Sequence, residues 1–385
     1  MASWISFGLA LGILLADPVR AEATGPDSES DENAGGARAE VVEVEKRLAF
    51  SGDFRLRYET NSSFYGVPSW DRGVLRGRLA AKYKLNDFWS LGARLVTGDP
   101  DNPRTTDVSI RDFKSDPELS LDMAYVAYRS ESLLLTGGQF AKPFSSTELV
   151  WDGDVNPEGL GGQFSFGDSS RLKTSVSGIW FTFDDPTLAN RSEMYGGQLG
   201  LKWQQGSDLG FSVSAAYYDY DLSVLNPASL QKPRGNNLTP DGATFLSDFE
   251  LFDVVATAEF SGLGENWPLR VVADSVINLG SAVPEDRGWG IDIFAGHLGS
   301  PGRFMVRYGY AQVETDAVLG LFSNDNIILA TNYKLHTLSV DYRISEHTFV
   351  GLTEYVFDYL DAPEGSALLN NDWGSRTRLN LYFQL

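Results

Sequence analysis

The 385-residue chain contains no cysteine, which excludes disulfides, thiolate catalysis and cysteine-based metal sites. Histidine occurs three times, at His297, His336 and His347, never at metal-ligand spacing and never beside an obvious serine nucleophile. No nucleophile elbow, phosphate loop or His-x-x-x-His motif appears, so neither a metal nor another cofactor is expected. Bases are scarce relative to acids, 31 against 52, for a net charge of -21. That balance disfavours nucleic acid as a partner, because polyanions repel it. Long apolar runs are missing as well. Only Trp4 to Ala16 forms a long, mainly apolar run. At about 13 residues it is too short for a membrane helix and suits the apolar stretch of a signal peptide, with cleavage expected after Ala21.

Residues 22–47, with eight acids and three bases, read as a mostly disordered acidic tail on the periplasmic side. From Leu48 onward the persistent feature is alternation. Phe54, Leu56 and Tyr58 alternate with Asp53, Arg55, Arg57 and Glu59, and Leu379, Leu381 and Phe383 with Arg378, Asn380 and Tyr382. One apolar and one charged face at period two describe a sheet that separates two different solvents. About sixteen such segments can be counted, each of roughly 10 to 13 residues, the length a tilted strand needs to cross a bilayer. Long connections (99–118, 140–158, 221–247, 316–332, 360–372) alternate with short ones (86–87, 131, 168–170, 206–208, 300–301). The expected fold is therefore all-β: a transmembrane antiparallel β-barrel over residues 48–385, with long extracellular loops and short periplasmic turns. Aromatics near strand ends (Trp70, Tyr83, Trp89, Trp151, Trp203, Trp267, Trp289, Trp373, Tyr382) are expected in the two interfacial girdles.

The segments LRGRLAAKYKLNDFWSLGARLVTGDPDNP (75–103), LDMAYVAYR (121–129), LLLTGGQFAKPFSSTELVWDGDVNPEGLGGQFSF (133–166), YGGQLGLKW (195–203), VRYGYAQVETDAVLGLFSNDN (306–326) and RLNLYFQL (378–385) occur in this order. Together they resemble the bacterial "putative porin" family, distant relatives of the phosphate-selective porins. The resemblance implies a diffusion pore for ions and small hydrophilic solutes in a Gram-negative outer membrane, without enzymatic activity and without binding residues to carry over. Its partners would be outer-membrane lipid and the barrel-assembly machinery, which reads a terminal strand like Tyr382-Phe383-Gln384-Leu385. A homotrimer is expected by analogy with sixteen-strand porins.

Charge locates the candidate site. Residues 48–98 hold eight bases and four acids, with Arg55, Arg57, Arg76, Arg78, Lys82 and Arg94 as a pore-lining basic wall. Residues 248–278 hold one base and six acids, with Asp253, Glu259 and Asp274 as an acidic wall. In a sixteen-strand ring the second and tenth strands are opposite, so the lumen would carry a transverse field that orients dipolar solutes. The bland alternative is that each arginine pairs with a neighbouring acid and only fills space. Loop 140–158 is the candidate constriction. It carries Lys142 against Glu148, Asp152, Asp154 and Glu158, and its Leu149, Val150 and Trp151 favour burial. The Asp152/Asp154 pair also admits glycosidase-like or calcium-binding readings. An outer-membrane barrel enzyme, or a channel specific for an anion or sugar, stands as the alternative function.

Overall fold

The computed structural model describes residues 47–98, 105–110, 118–168, 171–183, 192–206, 208–222, 234–264, 266–362 and 373–385. The expected signal peptide 1–21 and nearly all of the acidic segment 22–47 lie outside the described residues, as do parts of the loops at 99–118, 221–247 and 360–372. The strands in chain order are β1 (Leu48–Asn61), β2 (Trp70–Lys84), β3 (Trp89–Thr97), β4 (Val108–Ile110), β5 (Leu119–Arg129), β6 (Leu133–Gln139), β7 (Glu158–Asp168), β8 (Leu172–Thr182) and β9 (Glu193–Gln205). They continue as β10 (Leu209–Asp221), β11 (Phe249–Phe260), β12 (Leu269–Asn278), β13 (Arg287–Gly296), β14 (Phe304–Val313), β15 (Tyr333–Arg343), β16 (Thr348–Tyr359) and β17 (Gly374–Gln384).

Each long strand pairs antiparallel with its chain neighbours, and β1 closes the ring on β17 from Asp53↔Gln384 to Asn61↔Arg376. Hydrocarbon offers no partner for backbone N–H and C=O groups, so a membrane-spanning sheet has to leave no edge. Sixteen strands form this ring. The three-residue β4, inside a stretch that reads as loop in the sequence, pairs with β2 at Gly73–Leu75, beyond the end of the β2–β3 pairing at Arg78↔Val96.

Alternation sorts the faces. On β1, Phe54, Leu56 and Tyr58 are exposed toward lipid while Arg55, Arg57, Glu59 and Asn61 are buried in the lumen. Leu199, Leu201 and Trp203 on β9 and Leu160, Phe164 and Phe166 on β7 likewise stand on the outer face. The girdle expectation fits Trp89, Trp203, Trp267, Trp289 and Trp373, all exposed. It fails at three positions. Trp151 is buried inside the barrel. Trp70 shares the inward parity of β2 and lies beneath Arg72 and Arg376, and Tyr382 lies beneath Arg55. In a charged lumen an aromatic ring serves as a surface for guanidinium groups.

The ring is locked electrostatically at its seam. Glu59 is the register partner of Arg72 on β2 and of Arg378 on β17, and its carboxylate accepts hydrogen bonds from both, at 2.8 and 2.6 Å. Removing one member of a buried, hydrogen-bonded charge set leaves the others uncompensated, at a cost of about 3–5 kcal/mol. Glu59→Gln is therefore expected to lower the urea concentration at which the detergent-solubilised barrel unfolds, whereas Thr60→Ala, on the adjacent outward position, leaves it unchanged.

Candidate functional site

A ring of sixteen strands encloses more space than its own side chains fill, and three connections enter it. Residues 140–157 carry buried Phe140, Phe144, Leu149, Val150, Trp151 and Val155. The β14–β15 connection carries buried Ala317, Val318, Leu319, Leu321, Phe322 and Ile327, and the segment before β11 carries Phe245. All belong to one apolar cluster with Phe181, Met194, Tyr218 and Tyr220 of the wall. Trp151 stacks on Phe322, with centroids 5.4 Å apart and planes at 12°. Backbone bonds knit the two loops together, Asp152 N–H to Phe322 O at 2.7 Å and Asn324 N–H to Glu148 O at 3.0 Å. Asn236 fastens the third segment by donating to the carbonyls of Thr315 and Val318, both at 2.8 Å.

The wall makes room for this packing with small residues. The inward positions of β7 are Gly159, Gly161, Gln163, Ser165 and Gly167, alternating with outward Leu160, Phe164 and Phe166. A Cβ on Gly161 would fall 2.6 Å from the Phe140 ring, so the side chain that starts the loop occupies the place a wall residue would have taken. Phe144 likewise sits against Gly196, and Leu149 against Gly288 and Gly290.

Loop 140–157 crosses the lumen. Thr147 donates its hydroxyl to the Asp274 carboxylate on β12, and Asp154 accepts from Arg78 on β2 at 3.3 Å. The seven Cα-to-Cα steps from Thr147 to Asp154 reach at most about 25 Å. On the ring β2 is second and β12 eleventh, so the loop divides the interior into two unequal parts.

The predicted residues fall into distinct environments. Arg55 and Arg57 both bind Asp107, Arg76 and Arg78 both bind Asp53 (2.8 and 2.6 Å), and Arg94 binds Asp122 (Nε to Oδ1 2.9 Å). Lys82, on the same face, is exposed near the β2–β3 turn. With Arg72, Arg376 and Arg378, the sequence-derived wall becomes a cluster of eight arginines against five acids, Asp53, Glu59, Asp107, Asp122 and Asp154. Pairing is thus extensive, and because Asp325 also faces Arg376 and Arg378, a surplus of two positive charges persists. Arg376 and Arg378 come from the last strand and Asp107 from the loop carrying β4, contributions that no single segment of sequence reveals. Despite burial, which acts in the opposite direction, Arg57 and Arg55 hold the Asp107 carboxyl well below the usual carboxylate range.

Asp253 and Asp274 are neighbours across the β11–β12 pairing, but loop 140–157 covers them, so they face protein rather than an open lumen. Glu259, further along β11, is exposed and opposite Arg270. Glu158 is not part of the loop: it opens β7 on the outward parity of Leu160. Lys142 lies over the Trp151 ring, 5.7 Å from its centroid, and donates to the Asp152 carbonyl at 3.4 Å.

With the barrel and its crossing loop described, the class of protein follows: a closed, lipid-faced, sixteen-strand antiparallel barrel of the bacterial outer membrane. Residues 69–232, a little under half of the chain, match the family described as "Putative porin". In fold the chain is similar to Pseudomonas putida OprB in its high-pH structure, with a TM-score of 0.60 at 14% identity over 91% of this chain and 97% of that one. It is also similar to Salmonella typhi OmpF in complex with daunomycin (TM-score 0.52, 12% identity, 88% and 97%). The trimer form of in-vitro folded Vibrio cholerae OmpT is comparable (TM-score 0.52, 11% identity, 88% and 99%). A comparison with curated proteins finds no match.

The loop also carries a titration. Burial, then the Asp325 carboxylate, pushes Glu148 up from 4.5 to about 7, and burial and Glu148 raise Asp152. A carboxyl raised in the folded state contributes stability that is complete below its unfolded pKa and lost as pH rises through the folded one. The loop is therefore expected to loosen between pH 4.5 and about 7. Wild-type protein should unfold at a lower temperature at pH 8.5 than at pH 5.5, and Glu148→Gln should flatten that difference.

Proposed function

We propose that this chain is an outer-membrane porin, a water-filled channel for passive diffusion of small hydrophilic solutes, and that solutes cross it on the arginine side of loop 140–157, beside the Asp154–Arg78 contact and along the wall formed by β1, β2, β3 and β5. The observation that carries this reading is the contrast between the two flanks of the loop. Trp151 and Val150 keep 1% of their surface and seal the β8–β15 flank at their own height, while Arg307 and Asp292 on β13–β14 keep 29% and 24%. Around Asp154 (16%), the side chains of Arg78 (12%), Asp53 (13%) and Asp122 (15%) each keep some solvent contact. Polar groups that remain partly hydrated beside a sealed apolar flank mark where the water column runs.

This opening is lined by arginine–carboxylate pairs with a cationic surplus. Charges in a narrow neck interact at an effective dielectric nearer ~20 than 80, so a small excess suffices to bias ion passage. The channel would favour small anionic and dipolar solutes and disfavour apolar ones. The acidic side contributes less than the sequence suggests, because Asp253 and Asp274 are covered and only Glu259 faces open space. A general diffusion role without enzymatic activity accords with the pairing of the acids: Asp154 and Asp122 are engaged by arginines rather than poised as a catalytic pair.

Residues 1–21 would direct export and be removed, 22–47 would remain as a periplasmic tail, and the assembly machinery would insert residues 48–385 into outer-membrane lipid. Trimerisation is supported by the trimer form of the similar Vibrio OmpT. Planar-bilayer recordings in asymmetric salt test the pore reading. Wild-type channels are expected to show reversal potentials on the anion-selective side. Arg76→Glu together with Arg78→Glu should shift them toward cation selectivity; unchanged potentials would move the pathway elsewhere.

A further inference from the structure

Outside the pore, the lipid-facing surface is not uniform. Six residues in from the aromatic side chain at the periplasmic end, the outward positions of β2, β3, β7, β9 and β11 are Gly77, Leu95, Leu160, Gly197 and Val254. At about 2.4 Å of height per residue of a tilted strand, that is ~14 Å into an apolar band of about 25 Å. On β14, β15 and β17 the same position carries Tyr310, His336 and Thr377, and on β16 Glu354 is the register partner of Thr377. Alternation fixes their outward direction. Thr337, Tyr355 and Arg378, one residue on, are buried, while Leu338, Leu352 and Leu379, two residues away, are exposed.

Glu354 thus places a carboxyl at hydrocarbon depth. Among the described residues its hydrogen-bond partner is the Thr377 hydroxyl, which donates to it, and no cation is paired with it. A carboxylate can accept about four hydrogen bonds, so one leaves most of that capacity unmet beside a solvent that has no donors. Protonation removes the charge and creates an O–H that itself needs an acceptor. Next to Glu354 runs a chain of ring contacts found on this sector of the wall. Trp289 meets Tyr310 at 5.4 Å, Tyr310 meets His336 at 4.7 Å and His336 meets Trp373 at 5.7 Å between centroids. The Tyr308 hydroxyl and His336 Nδ1 are hydrogen-bonded at 3.0 Å. Aromatic side chains with polar tips are what protein–protein contacts enrich.

We infer that the outer face of β14 to β17 is the surface on which a second copy of this chain docks, with Glu354 and the Tyr310–His336 pair inside the contact. The inference rests on the oligomer proposed above and assigns the face it uses. Outer-leaflet lipid fits this sector poorly. Acyl chains offer Glu354 no donor. Anionic head groups would meet two acids, Glu354 and Asp358, against one ammonium, Lys334, which Asp358 already holds at 3.1 Å. A second barrel supplies both an apolar surface and donors, since the chain's own face presents hydroxyl, imidazole and ammonium groups at Thr377, Tyr310, His336 and Lys334.

Replacing the acid by an apolar residue gives opposite results for the two occupants. Full-length barrel in mild detergent is expected to be oligomeric by light scattering. Glu354→Leu should raise its apparent dissociation constant at least about tenfold, a change of 1.4 kcal/mol, and Glu354→Gln should retain assembly. If Glu354→Leu fails to fold, single thiols in this cysteine-free chain give a second reading. Leu338 on β15 and Leu199 on β9 are equally open in one chain, at 52% and 49% exposure. A bilayer-soluble maleimide should label Leu199→Cys readily and Leu338→Cys at least about tenfold more slowly until the oligomer is dissociated. A monomeric wild type, a Glu354→Leu barrel that is more stable and equally assembled, or equal labelling of the two thiols would overturn the interface and assign the face to lipid. Conductance separates this from the pore reading. Glu354 is outside the lumen, so Glu354→Leu should leave the conductance of each barrel unchanged. Conducting monomers would remove the interface and keep the pore, whereas assembled, silent particles would do the reverse.

Discussion

The structure rests on closure. Because hydrocarbon accepts no unpaired backbone group, β1 has to find β17, and the seam residue Glu59 meets an arginine on each side of that junction. Closing sixteen strands produces a lumen too wide to be filled from the wall alone. Everything functional follows from how that surplus space is used. On one side, glycines and serines on β7 to β9 withdraw so that a loop rich in aromatics can pack there. On the other, arginines from β1, β2, β3 and β17 extend inward and are neutralised in part by acids from both strands and loops.

The two halves depend on each other. Asp154 meets Arg78 because Trp151, three residues earlier, is held by Phe322, Tyr218 and Phe181. The apolar cluster thus acts as the foundation on which the polar edge of the loop is placed. Three separate connections contribute to it, so the position of the loop depends on contacts far apart in sequence. Asn236 in the β10–β11 connection fixes the β14–β15 connection, which in turn stacks on Trp151.

Much of the fold can be read from alternation alone, because the outward face must be apolar along every strand while the inward face carries the polar residues, and sixteen repetitions make the pattern unambiguous. The three-residue β4 escapes it, being too short for the alternation to repeat. The burial of loop 140–157 is visible in Leu149-Val150-Trp151. The similar run Ala317-Val318-Leu319-Gly320-Leu321-Phe322 sits in a stretch that reads as an extracellular loop, yet it supplies the stacking partner. Its apolar composition was the available signal. The arginines of β1 to β3 are evident from composition, whereas their partners are not. Asp107 and Asp154 arrive from loops, and Arg376 and Arg378 arrive through the register of the seam. The covering of Asp253 and Asp274 depends likewise on where a distant loop lands.

The central claim is that loop 140–157 seals one side of the lumen and leaves water on the arginine side. A chain without cysteine allows this to be read with single introduced thiols and a charged, membrane-impermeant methanethiosulfonate. Applied to open channels in a planar bilayer, the reagent should react rapidly with Arg76→Cys and step the conductance down. Val276→Cys, behind the loop, should stay silent. Rapid modification of Val276→Cys with no effect at Arg76→Cys would contradict the account.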